Sequence, residues 1–93
     1  MRELSKAGSD WWESFQELLE DQIDFPGEYL FKFIVPRTNL DDLKSVFGRH
    51  PVRVRESRKG NYVSVTARMH MHSSDEVIAV YSAAAEVDDV ISL

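Results

Sequence analysis

Residues 61–72 read NYVSVTARMHMH, and this stretch decides the fold. Val63, Val65, Ala67, Met69 and Met71 fall on one side of an extended chain. Tyr62, Ser64, Thr66, Arg68, His70 and His72 fall on the other. Strict two-residue alternation is the mark of a strand with one face buried and one face wet. Just upstream, Lys59-Gly60-Asn61 supplies a hairpin turn, because glycine and asparagine tolerate the positive φ of tight hairpins. Before the turn, residues 52–58 alternate as well, with Val52 and Val54 on one face and Arg53 and Arg55 on the other. Two strands are therefore expected to pair as a hairpin.

Working outward, Tyr29 to Val35 is a dense aromatic and β-branched run, a further strand signal, ended by Pro36. Asn39 is a good N-cap for a short helix carrying Leu40, Leu43 and Phe47, closed by Gly48. Ser73-Ser74-Asp75-Glu76 reads as a capping box, with Val77, Ile78, Tyr81, Ala84 and Ala85 on the inward side of the helix it opens. Val90 to Leu93 reads as a short closing strand. Ahead of all this, Asp10-Trp11-Trp12-Glu13 resembles a capping box, and Trp11, Phe15, Leu18 and Leu19 follow at helical spacing to Gln22. Phe25-Pro26-Gly27 ends that helix. The chain thus divides into a flexible N-terminus at 1–9, an amphipathic helix at 10–23 and a domain at 25–93.

The order after the leading helix is β-α-β-β-α-β. An α+β sandwich, with a four-stranded antiparallel sheet and two helices on one face, buries every apolar stripe in that order. The other sheet face stays open. It is expected to carry Leu30, Lys32, Ile34, Arg53, Arg55, Tyr62, Ser64, Thr66, Arg68 and His70.

Composition agrees with a small globular domain: 93 residues, 43% hydrophobic and 29% charged. Without cysteine there is no disulfide framework, thiolate nucleophile or thiolate metal site. No apolar run approaches the ~18 residues of a membrane span, and MRELSKAGSD lacks the apolar centre of a secretory signal. A cytoplasmic location, with no membrane partner, is the expectation. The net charge of −5 is unevenly distributed. Residues 1–28 and 73–93 are acidic, whereas 29–72 hold nine basic and three acidic side chains. A basic middle within an acidic whole favours anionic partners, unless the acidic ends fold back and neutralise it.

Two stretches resemble the YbeD-like family of small bacterial proteins: FPGEYLFKFIV at Phe25–Val35 and SRKGNYVSV at Ser57–Val65. The resemblance implies a ferredoxin-like fold related to ACT regulatory domains, with no established activity, and by analogy a homodimer. Such relatives often bind amino acids at a glycine-bearing loop between the first strand and helix. Here that loop is Pro36-Arg37-Thr38-Asn39 and has no glycine.

Catalytic chemistry has little to stand on. Ser64 and Thr66 share a face with His70, but an open sheet surface offers no pocket, and a nucleophile needs a base and an orienting group within reach. Phosphate-cradling glycine loops are missing, since the four glycines are scattered at 8, 27, 48 and 60. His70 and His72 lie on one strand face about 6.5–7 Å apart along the backbone. That spacing could serve a metal, but no third ligand is set by sequence; His50, Asp75 and Glu76 are only candidates. No catalytic residue, metal or cofactor is expected. Lys59-Gly60 followed by Tyr62 echoes the opening of an RNA-recognition strand, yet Asn61 and Val63 stand where further stacking rings belong.

The expected function is therefore a non-enzymatic regulatory or protein-interaction domain, homodimeric, that recognises a protein partner. Lys32, Ile34, Arg53, Arg55, Tyr62, Arg68 and His70 form the candidate binding surface. Trp11, Trp12, Phe15 and Leu19 are candidates for helix docking or self-association, and the acidic helix has the right charge to lie across the basic face. A nucleic-acid-binding module on that face is the alternative. A small-ligand sensor at an ACT-like dimer interface is a third reading, carried by the resemblance alone.

Overall fold

The computed structural model describes residues 8–93 together with the backbone of residues 2–3. In chain order the elements are β1 (Arg2–Glu3), α1 (Ser9–Gln22), β2 (Gly27–Pro36), a 3-10 turn (Arg37–Asn39), α2 (Leu40–Val46), β3 (Arg53–Glu56), β4 (Tyr62–Met71), α3 (Ser74–Ala84) and β5 (Ile91–Ser92). The strands form one sheet in the order β1-β5-β2-β4-β3, antiparallel throughout. The β5-β2-β4-β3 part is the expected ferredoxin-like four-stranded sheet. Strand β1 extends its outer edge by pairing Arg2 with Ser92 and Glu3 with Ile91. That pairing places two residues of the segment expected to be flexible in the sheet; residues 1 and 4–7 of that segment lie outside the described residues.

The central pair is β2 with β4, in unbroken register from Gly27↔Met71 to Pro36↔Tyr62. Because side chains alternate across a strand, this register stacks Phe31, Phe33 and Val35 beside Ala67, Val65 and Val63 on the same face. All six are buried. From above, α2 adds Leu43, the residue that closes it adds Phe47, and α3 adds Val77, Tyr81 and Ala84. Val87 and Val90, from the segment leading into β5, close the core. Burying a side chain of this size stabilises the fold by roughly 1.5–3 kcal/mol each before the entropy of ordering is subtracted. Among the described residues, no buried side-chain polar atom lacks a hydrogen-bond partner.

Helix α1 packs against α3, on the helical side of the sheet. Leu19 is buried there, and the Phe15 ring meets the Tyr81 ring edge-on at 5.0 Å. Trp11 stacks on Phe15 at 5.2 Å and meets Trp12 edge-on at 5.0 Å. Polar contacts fix the pair of helices: Gln16 Nε2 donates to Ser74 Oγ (3.0 Å), and Ser74 Oγ donates to Glu20 Oε1 (2.9 Å). The charge-matched arrangement of α1 across the basic face is therefore wrong. Aromatic and aliphatic packing onto Tyr81 decides its position, and a non-directional charge match does not.

The helix termini bring smaller corrections. Helix α1 begins at Ser9, and the Gly8 carbonyl accepts from Trp11 N–H (3.1 Å) and Trp12 N–H (3.2 Å), so Asp10 sits inside the first turn and is not the cap. Asn39 closes a 3-10 turn ahead of α2 and makes no capping bond. Its side-chain amide instead donates to the Asp88 carbonyl at 2.9 Å, tying that turn to the segment before β5. Ser73 caps α3 as expected, accepting from Glu76 N–H at 3.4 Å. The Glu76 carboxylate reaches back one residue further than a capping box requires, to His72 N–H at 2.8 Å. Strand β3 is shorter than its alternating pattern, spanning Arg53–Glu56, and as an edge strand it leaves Val54 partly exposed.

Candidate functional site: the open sheet face

The face of the sheet opposite the helices is built by register. Reading across the strands, Ile91, Ile34, Ser64 and Arg55 form one row, and Lys32, Thr66 and Arg53 form the next. Leu30 then stands beside Arg68, and Glu28 beside His70. Neighbouring strands lie about 4.8 Å apart and same-face residues about 6.5–7 Å apart. The expected face is thus assembled as read: Leu30, Lys32, Arg53, Arg55, Tyr62, Arg68 and His70 are exposed, and Ile34, Ser64 and Thr66 are half-buried.

Its apolar part is substantial. Leu30 is 51% exposed and Tyr62 46%. Ile34, Tyr62, Val63 and Ile91 line a shallow depression of about 470 Å³, with Arg55 and Glu56 at its rim. A second hollow of about 260 Å³ lies among Lys32, Arg53, Arg55, Ser64 and Thr66. An apolar depression on β5, β2 and β4 beside guanidinium groups on the edge strand β3 suits a partner that is itself amphipathic.

The cations differ in how free they are. Arg68 Nε lies 3.8 Å from Glu28 Oε2, a loose and exposed pair. The Arg68 carbonyl accepts from His50 Nε2 at 2.7 Å, which caps part of the β4 edge that short β3 leaves uncovered. Among the described residues, Lys32, Arg53 and Arg55 have no ion-pair partner. Three cations on one open face, none of them ion-paired among the described residues, make a positive field there.

Arg37 lies outside this grid and was not singled out from the sequence. Its Nε donates to the Gly60 carbonyl at 2.7 Å and its guanidinium pairs with Glu56 at 2.7 Å, so it braces the hairpin tip beside the apolar depression. Its position at a turn start gives no signal, because its partners stand at the end of β3 and in the hairpin loop, about twenty residues downstream.

At the far end of β4, the His70 and His72 rings meet edge-on with centroids 4.9 Å apart. His72 Nδ1 donates to Glu76 Oε1 at 3.1 Å. The backbone N–H of His72, then its ring, hold the Glu76 carboxyl below its usual range. Among the described residues, no three His, Cys, Asp or Glu side chains converge as a metal site would require. The arrangement acts locally as a cap on α3. Trp11, Trp12, Phe15 and Leu19 are brought together on α1, and all four face α3 or the core edge.

Among the described residues, no helix is long and apolar enough to cross a membrane. No curated protein and no solved structure matches the chain. A family model described as a protein of unknown function, DUF493, matches residues 20–93, from the last turn of α1 to the end of β5. With strands β2 to β5 and helices α2 and α3 inside that match, the chain belongs to the DUF493 family.

Proposed function

We propose that this protein is a non-enzymatic binding module whose open sheet face recognises an acidic, amphipathic protein surface. The observation that carries the reading is that α1 leaves the face uncovered, with Lys32, Arg53 and Arg55 unpaired among the described residues. Arginine is the cation best suited to such a surface, because its planar fork pairs bidentately with carboxylates and is weakly hydrated. Leu30, Ile34 and Tyr62 supply the desolvated contact area that charge alone lacks. The resemblance of FPGEYLFKFIV and SRKGNYVSV to YbeD-like and ACT-related regulatory domains supports a small regulatory module within this reading.

Nucleic acid is the second reading, because the same uncovered cations would attract phosphates. It is less well supported. Tyr62 is the only exposed ring among the described aromatic residues of β2 and β4, whereas Phe31 and Phe33 are fully buried. Single-strand recognition draws on stacking of several bases.

The test is fluorescence anisotropy at low salt with two probes: a labelled acidic helical peptide bearing leucines, and a labelled mixed-sequence oligonucleotide. The expected result is peptide binding that falls at least tenfold in an Arg53/Arg55/Arg68→Ala variant. Oligonucleotide binding alone would favour the second reading. Binding of neither probe, or peptide binding untouched by the triple substitution, would overturn the first.

A further inference from the structure

The outer face of α1 is the chemical counterpart of the open sheet face. Ser14, Glu17, Leu18 and Asp21 share that face by helical spacing and are exposed, with Leu18 left 55% accessible. Leu18 is the most exposed large hydrophobic side chain among the described residues. It plays no part in the packing onto α3, which Phe15 and Leu19 provide. Glu20 is engaged with Ser74, but among the described residues Glu17 and Asp21 make no such contact. Glu20 and Asp21 stand in the last turn, with no basic residue there, where the helix dipole disfavours negative charge. An exposed leucine ringed by carboxylates lies on one side of the molecule, and an apolar depression rimmed by Arg55 lies on the other.

We infer that the open sheet face takes the outer face of α1 from a second copy of this chain, with Leu18 seated in the depression formed by Ile34, Tyr62 and Ile91. This inference rests on the reading of the sheet face as a site for acidic, amphipathic surfaces, and names its occupant. Glu17 and Asp21 flank Leu18 and meet the guanidinium groups of Arg55 and Arg53, which stand about 6.5–7 Å apart on β3. Within one molecule the contact is closed off, because α1 is held on α3 at the opposite side of the sheet. Between molecules the Glu56 carboxylate at the rim of the depression is turned to Arg37, which leaves Arg55 and Arg53 to face the incoming helix. The two surfaces are different patches, so the contact is head-to-tail and propagates until a ring closes or an open chain results. A single helix laid on a sheet buries an area at the low end for specific interfaces, about 1,200 Å² or less, so association is weak and reversible. It is also salt-sensitive, because exposed charges are screened over about 10 Å at 0.1 M ionic strength.

Complementation between two variants tests this directly. Glu17→Gln/Leu18→Ala/Asp21→Asn removes the helix surface, and Arg53→Gln/Arg55→Gln removes the sheet surface, neutralising each without creating a charge-swapped pair. All the positions are exposed, and circular dichroism checks that each variant is folded. Sedimentation velocity at low salt is expected to show wild-type chain whose average mass rises with concentration and falls when salt is added. Each variant alone is expected to stay monomeric. In their mixture the intact sheet face of one variant takes the intact helix face of the other and leaves an altered surface at each end, so association is expected to stop at a one-to-one dimer. Wild-type chain that stays monomeric up to millimolar concentration would overturn the inference. So would association that survives either variant, or a mixture that forms no dimer. The acidic-peptide titration separates the two levels: a monomeric wild type that still binds the peptide through Arg53 and Arg55 loses the self-association and keeps the binding face.

Discussion

The hydroxyls of Tyr29 and Tyr81 lie 3.0 Å apart, so a hydrogen bond links the start of β2 to the middle of α3. The Tyr81 ring also contacts Phe15 of α1 and Phe31 and Phe33 of β2, all within 5.5 Å. One side chain therefore joins three elements. Burial, then the bond to Tyr29, pushes the Tyr81 phenol far above its ordinary range, so it stays a neutral hydroxyl in the folded protein. Tyr81→Phe keeps the ring and removes one hydrogen bond, for an expected loss of about 0.5–1.5 kcal/mol. Tyr81→Ala also leaves a cavity beneath α1, for about 3–5 kcal/mol. Urea unfolding checks both values, and equal losses for the two variants would contradict the role of the ring.

The hairpin tip depends on Gly60, which sits at φ +75°. A Cβ there would meet the Arg37 guanidinium at 3.3 Å, in addition to the cost of a left-handed conformation for an L-residue. Gly60→Ala is expected to destabilise the chain by roughly 1–2 kcal/mol, through backbone strain that any L-residue would share. Denaturant midpoints compare it with Lys59→Ala, which is expected to change little.

Acid stability should carry the signature of Glu76. Its carboxyl is held below the ordinary value in the folded chain, first by the backbone N–H of His72 and then by the His72 ring. A depressed folded-state value means the stabilisation is fully present above the unfolded-state value and is lost as pH falls through the folded-state value. Glu76→Gln is therefore expected to lower the melting temperature at neutral pH and to narrow the gap from wild type as pH drops below the ordinary carboxylate range. A gap that stays constant from pH 7 to pH 3 would contradict the linkage.

Substituting the open face should separate binding from folding. Arg53, Arg55 and Arg68 are exposed, and only Arg68 has a side-chain ion pair, a loose one, among the described residues. The Arg53/Arg55/Arg68→Ala variant is expected to keep its stability within about 0.5 kcal/mol per site while losing the acidic-peptide signal. Thermal unfolding and anisotropy on the same preparation provide the two readings. A large stability loss would show that these side chains support the sheet.

Much of the fold was legible because period-two patterning is a local property with one structural solution. From Tyr62 to Met71 each residue type announces its side of the sheet, and the register with β2 then places Lys32 and Ile34 without further information. The make-up of the open face was legible for the same reason, since its members alternate along the strands with those of the core. The docking of α1 was not legible. Its carboxylates match the basic face and its rings match α3, and composition does not rank those two attractions. Packing wins because Phe15 and Leu19 bury apolar area against Tyr81, whereas exposed charges gain little in water. The true start of α1 was obscured by Asp10 and Glu13, whose spacing imitates a capping box while the Gly8 carbonyl serves the first amides.

Placing α1 on the helical side gives the molecule two poles: carboxylates of Glu13, Glu17 and Glu20 on one surface, guanidinium and ammonium groups of Arg53, Arg55 and Lys32 on the other. At a net charge of −5 the chain should behave as an acidic protein on average, yet it should be retained by both anion- and cation-exchange media at neutral pH, turning a different side to each. Near any charged interface it would orient before it binds.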